Sequence, residues 1–147
     1  MPESSPKKHI VVYADDDLDD IDLVKEAFHK YTQNVELVVF RNGEDALIYL
    51  LSMEAEFPCL VILDINMPLM GGLEVLSTIR NMKAFDDTPI ILFTTSSQQF
   101  EKNYAKKYKA GFITKPIDYR QMQYITDTFI EHCSEDIKKK ISRSVNL

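Results

Sequence analysis

Three acids stand together at Asp15-Asp16-Asp17, a lone acid at Asp64, two hydroxyls at Thr94-Thr95, and a lysine before a proline at Lys115-Pro116. Each group directly follows a short apolar run: Ile10 to Ala14, Leu60 to Leu63, Ile90 to Phe93 and Gly111 to Thr114. A carboxylate cluster, a separate carboxylate, a hydroxyl and an ammonium are what an aspartate needs to bind Mg²⁺ and accept a phosphoryl group. Crowded carboxylates repel one another and raise each other's pKa unless a cation intervenes. Mg²⁺ resolves that conflict with oxygen ligands in near-octahedral geometry, usually keeping several waters. A carboxylate can attack phosphorus and form an aspartyl phosphate. Phosphoryl transfer asks mainly for positioning and charge neutralisation, which a lysine and a hydroxyl donor supply. Asp64 is therefore the candidate nucleophile, with Asp15 and Asp16 as candidate metal ligands and Lys115 and Thr94 facing the phosphoryl oxygens. Asp17, Asp19 and Asp20 are assigned to a solvated helix start. Taken singly, each residue has a duller explanation: Asp64 as a turn aspartate, Thr94 as a strand-end threonine.

The elements that position these groups alternate in type. Ile10-Val11-Val12-Tyr13 is a β-branched run suited to a parallel sheet buried on both faces. From Asp19 to Tyr31 the apolar residues Ile21, Val24, Ala27, Phe28 and Tyr31 recur at helical spacing, with acids early and Lys30 late. Val35 to Phe40 reads as a second strand, and Asn42-Gly43 turns into a helix carrying Ala46, Leu47, Leu50 and Leu51. Phe57-Pro58 breaks the chain before the third strand. A proline- and glycine-bearing loop, Met67 to Gly72, leads to a helix from Leu73 to about Met82. Thr88-Pro89 opens the fourth strand, a helix spans roughly Gln98 to Tyr108, and the last strand and helix follow at Gly111 and Tyr119. Five strands alternating with five helices give a doubly wound parallel sheet, since crossovers are right-handed. The functional crevice of such a sheet lies outside the carboxyl ends of its strands, where every polar group above falls. Proline forces Lys115 extended, and a cis Lys115-Pro116 bond is left open.

Length and composition frame one domain. The 147 residues are 45% hydrophobic and 27% charged, ordinary for a globular chain able to bury a core. A net charge of −6 argues against general binding to nucleic acid or an anionic membrane surface. Cys59 and Cys133 lack metal-type spacing and read as buried thiols. No apolar stretch is long enough to span a bilayer, so a cytoplasmic location is expected. Residues 1–9 are expected to form a disordered tail.

The segments Ala14-Asp15-Asp16-Asp17, Leu63-Asp64-Ile65-Asn66-Met67-Pro68 with Gly72, Phe93-Thr94-Thr95 and Ile113-Thr114-Lys115-Pro116 occur in the order found in response-regulator receiver domains of two-component signalling. The chain resembles that family from about Ile10 to Cys133. Its Ile113 to Asp118 segment is similar to single-domain regulators that partner bacteriophytochromes. The resemblance implies a flavodoxin-like sheet of order 2-1-3-4-5. It also implies that Asp64 accepts phosphate from a sensor histidine kinase or a histidine phosphotransfer protein. By the same resemblance Asp16, Asp64 and the backbone carbonyl of Asn66 hold Mg²⁺, with Asp15 acting largely through water. Thr94 and Phe112 become the switch pair, and Lys115 the partner of the phosphoryl oxygen. Two departures stand out: Tyr108-Lys109-Ala110 replaces the usual Gly-Ala turn, and Phe112 replaces the commoner tyrosine.

Residues 134–147 are too few for a DNA-binding module and read as a helical extension or tail, Ile130, Cys133, Ile137 and Ile141 allowing the last helix to continue. Output is then expected through the face of the fourth helix, fifth strand and fifth helix, with Phe100, Tyr104 and Tyr108 as a half-buried stripe. That face suits a protein target or a second copy of the chain. Two rival classes remain at this stage: an adaptor independent of phosphorylation, and a magnesium phosphohydrolase. The latter generally carries an acid two residues after its nucleophile, where this chain has Asn66. A flavin carrier lacks a phosphate-cradling loop after the first strand.

Overall fold

A computed structural model describes residues 8–54 and 56–145. The apolar runs form β1 (His9–Ala14), β2 (Val35–Phe40), β3 (Leu60–Leu63), β4 (Ile90–Thr94) and β5 (Gly111–Thr114). All pair in parallel, in the order β2-β1-β3-β4-β5. This is the expected sheet. The helices are α1 (Leu18–Ala27), α2 (Gly43–Leu51), α3 (Gly72–Arg80), α4 (Gln99–Lys107), α5 (Tyr119–Met122), α6 (Ile125–Ile130) and α7 (Glu135–Val145).

Side chains along a strand alternate between faces, and the core divides accordingly. Val11, Tyr13, Leu60, Ile62, Ile91 and Phe93 pack on one face with α1, α6 and α7. Val12, Ala14, Val61, Leu63, Ile90 and Leu92 pack on the other with α2, α3 and Ala105 of α4. Burial on both faces explains why β3 is four apolar residues in a row. No helix among the described residues is long and apolar enough to cross a membrane.

The structure changes four expectations. His9, expected in the tail, is the first residue of β1 and donates its N–H to the Asn34 carbonyl; residues 1–7 of that tail lie outside the described residues. The Lys115-Pro116 bond is not cis. Five expected helices become seven α-helices among the described residues, because the last one is divided. β-branched Ile125, Thr126 and Thr128 favour helix weakly, and a break at Gln123-Tyr124 separates α5 from α6. α6 ends at Ile130, and Ser134 starts α7, its hydroxyl accepting from Ile137 N at 3.3 Å and its carbonyl from Lys138 N at 2.9 Å. Glu135 and Asp136 in the first turn of α7 suit the positive end of the helix dipole. The fourth difference is Asp20, which is not a solvated helix-start residue and belongs to the site below.

The departure at Tyr108-Lys109-Ala110 also has an answer. Lys109 takes φ 55°, the left-handed position that a glycine would fill after a helix. Ala110 N reaches back to the Ala105 carbonyl at 2.8 Å, so α4 closes normally despite the missing glycine. The Arg80 guanidinium of α3 bonds the carbonyls of Tyr108 at 2.8 Å and Lys109 at 3.1 Å, and so braces the turn.

Candidate functional site

Strand register brings the polar residues to one edge. Ala14 pairs with Leu63, so the next residues along, Asp15 and Asp64, leave adjacent strands side by side. The backbone ladder runs one step beyond the strands to hold them. Asp15 N donates to Phe40 O at 3.0 Å, Asp64 N to Ala14 O at 2.9 Å, and Lys115 N to Thr94 O at 2.7 Å. Gly72 makes the same edge compact: a Cβ there would overlap the Asp64 carbonyl oxygen, and Gly72 N instead bonds Ile65 O at 3.0 Å.

Lys115 is the centre of the cluster. Its Nζ stands 2.8 Å from carboxylate oxygens of Asp15, Asp64 and Asp20 alike. Asp15, Lys115 and Asp64 are buried, whereas Asp16 is exposed at the rim. Carboxylate oxygens of Asp15, Asp16 and Asp64 lie within 4.8 Å of one another. Asp15 is also fixed from behind: the Tyr13 hydroxyl donates to its Oδ2 at 2.6 Å, and Asp17 N to its Oδ1 at 3.0 Å. Asn66 N donates to Asp64 Oδ1 at 3.4 Å.

The electrostatics follow from one ammonium shared among several acids. Burial pushes the Asp64 carboxyl above its usual range; Lys115 pulls it back and Asp15 adds to the rise. Burial alone would weaken the Lys115 charge, but hydrogen bonds to Asp15, Asp20 and Asp64 outweigh it and leave this lysine above its ordinary range. Burial, then the Asp15 charge, raises the Tyr13 phenol far above the usual tyrosine value, so it remains a donor.

Four acids against one lysine leave the edge with uncompensated negative charge. The donors are hard carboxylate oxygens, and Asp16 is open to solvent. That donor set fits a divalent cation that prefers oxygen ligands.

The structure thus gathers Asp15, Asp16, Asp64 and Lys115 in one place. Thr94 sits one strand over, fully buried at the end of β4, its hydroxyl accepting from Ser96 N at 3.3 Å. Phe112 lies half-buried on β5, with the Lys102 ammonium 6.0 Å from its ring centre. Two participants escaped the sequence. Tyr13 looks like any core residue of a buried strand, and Asp20 is one acid among five in a six-residue stretch.

Comparison with known proteins agrees with this geometry. The model of the response regulator receiver domain matches residues 11–127. Response regulator Rcp1 of Synechocystis sp. (strain PCC 6803) is 31% identical over 102 residues, which cover 66% of this chain and 68% of Rcp1. The crystal structure of the phosphorylated cyanobacterial phytochrome response regulator RcpA superimposes with a TM-score of 0.78 at 27% identity, covering 85% of this chain and 93% of RcpA. The Mn²⁺-bound form of Rcp1 shares the fold with a TM-score of 0.76 at 24% identity, over 86% of this chain and 97% of that one. With the sheet order, the edge cluster and a family match across most of its length, the chain belongs to the response-regulator receiver domains of two-component systems.

Proposed function

We propose that this receiver is a phosphorylation switch in which Asp64 takes a phosphoryl group from a phosphohistidine. The observation that carries the proposal is the Lys115 ammonium held 2.8 Å from the Asp64 carboxylate, inside a ring of acids. An Asp64 carboxylate oxygen forms the new P–O bond. The donor's N–P bond breaks, its electron pair leaves on the imidazole nitrogen, and that nitrogen takes up a proton from solvent. Asp16, Asp64 and the Asn66 carbonyl would hold Mg²⁺, with Asp15 in support through water, and the Mn²⁺-bound form of Rcp1 supports a divalent ion here. Bound metal would neutralise charge on the transferring phosphoryl group. Lys115 supplies a second positive charge to the same oxygens. Family membership supports a signalling phosphoacceptor rather than an enzyme with turnover, and Asn66 agrees, since it cannot serve as the second acid of a phosphohydrolase.

Phosphorylation adds about −1.5 to −2 charge at Asp64. Thr94 and Phe112 then act as the switch pair, the Thr94 hydroxyl leaving Ser96 N for the new oxygens. The response appears on the face of α4, β5 and α5, where Phe100 is 59% exposed and Ile117 99%. That face is the proposed docking surface for a protein target or a second copy of the chain. The kinship with phytochrome response regulators supports a cytoplasmic sensor histidine kinase of that class, or a phosphotransfer protein, as donor.

Transfer from a histidine kinase pre-labelled with radioactive phosphate tests the proposal. Label should move to the wild-type chain when Mg²⁺ is present and should not move to Asp64→Asn. Equal labelling of both chains would reject Asp64 as the acceptor.

A further inference from the structure

Asp20 lies four residues beyond the acids that the phosphoacceptor reading uses, yet it is bound to the centre of the site. Its Oδ2 stands 2.8 Å from Lys115 Nζ, the same distance as Asp15 and Asp64. An ammonium has three N–H donors, and three carboxylate oxygens surround this one. The pair is well shielded from water: the side chains are 5% exposed for Lys115 and 16% for Asp20. Such a pair keeps far more of its Coulomb energy than one on the open surface. The backbone also holds Asp20 in place, its N–H donating to the Asp17 carboxylate that caps α1.

The two sides of Lys115 are not equivalent. Asp15 is fixed by the Tyr13 hydroxyl and Asp17 N, and Asp64 is the group that changes chemically. Asp20 is the remaining anion, and it enters from a helix rather than from the sheet.

We propose that Asp20 is a positioning residue: it holds the Lys115 ammonium beside Asp64 before phosphorylation and competes for it once phosphoryl oxygens arrive. The inference rests on the phosphoacceptor reading and extends it to a residue that sets the balance of the switch. Two consequences of opposite sign follow from one negative charge. Asp20 strengthens binding of a divalent cation at the neighbouring carboxylates. It also opposes the incoming phosphoryl group, both by repulsion and by occupying Lys115.

Asp20→Asn keeps the size and removes the charge. Titration calorimetry with MgCl₂ should show affinity weakened about 3- to 10-fold, the scale of one charge roughly 6–10 Å from a divalent ion when screening approaches that of water. At saturating Mg²⁺, initial uptake from acetyl phosphate, read by intact mass, should rise about 2- to 10-fold. Asp22→Asn, an equal charge change at an exposed position of α1, controls for net charge and should leave both within twofold. Melting temperatures report on folding. Opposite movements of affinity and uptake support the inference. If both stay within twofold of wild type, or both fall together with the melting temperature, Asp20 is a structural partner only and the inference is overturned. A wild-type chain that takes up no phosphoryl group overturns the phosphoacceptor reading itself, whatever Asp20 does.

Discussion

At the scale of single residues, the site is a contest among acids for one lysine. Asp64 illustrates it, since its folded pKa lies above the unfolded value. A group with a raised pKa contributes stability fully below its unfolded value of 3.8, and that contribution is lost as pH rises through the folded pKa. At neutral pH without metal, charged Asp64 therefore works against the fold. Asp64→Asn should melt higher than wild type in EDTA at pH 7. The gap should narrow as pH falls and Asp64 takes a proton, and added Mg²⁺ should close it from the other side. A wild-type chain more stable than Asp64→Asn under metal-free neutral conditions would contradict that balance. Tyr13 tests the opposite wall of the cluster. Tyr13→Phe keeps the ring and removes a buried hydrogen bond to a charged group, so urea titration should show a loss of about 1.5–3 kcal/mol. These two participants differ in how well the sequence reveals them. Asp64 follows a strand and precedes a loop, a pattern with a chemical meaning. Tyr13 occupies a core position of a buried strand, where nothing in hydrophobic periodicity distinguishes a useful hydroxyl from an idle one.

At the scale of elements, boundaries carry the surprises. The strands were legible because a sheet covered on both faces demands continuous apolar runs, and Val61-Ile62-Leu63 has no other use. The left-handed Lys109 was not legible, since the residue that tolerates it, Arg80, is 29 positions away in sequence. A non-glycine residue in that region costs roughly 1–2 kcal/mol. Lys109→Gly should relieve part of that strain, partly offset by glycine's greater unfolded entropy, for a net gain of about 0.5–1 kcal/mol in chemical denaturation. Arg80→Ala should move stability the other way by leaving two turn carbonyls without their donor. If Lys109→Gly destabilises the protein, the left-handed conformation is not a source of strain. Asp20 belongs to this scale too. Its role depends on the angle at which α1 leaves the sheet edge, and four neighbouring acids gave the chain several alternatives.

At the scale of the whole molecule, the C-terminal segment is part of the core. Ile141 of α7 is fully buried in the cluster that holds Tyr31, Val35 and Phe129, and Asn34 bonds the Lys140 and Ile141 carbonyls. The apolar spacing of Ile130, Cys133, Ile137 and Ile141 announced a buried face; the break over residues 131–134 instead redirects it as a separate helix. Ser134 with two acids behind it is a helix-start signal, outweighed in sequence by the unbroken spacing. Ile141→Ala should cost about 2–5 kcal/mol in urea titration, the range for truncating a buried isoleucine. A cost below 1 kcal/mol would mean that α7 is not packed as described.

Whether the sheet edge turns Asp64 into a phosphoryl acceptor is read from intact-protein mass after incubation with acetyl phosphate. A single phosphoryl adduct should form that requires Mg²⁺, maps to Asp64 and is absent from Asp64→Asn. A wild-type chain that binds Mg²⁺ yet forms no adduct, or forms one at another residue, would contradict that role for Asp64.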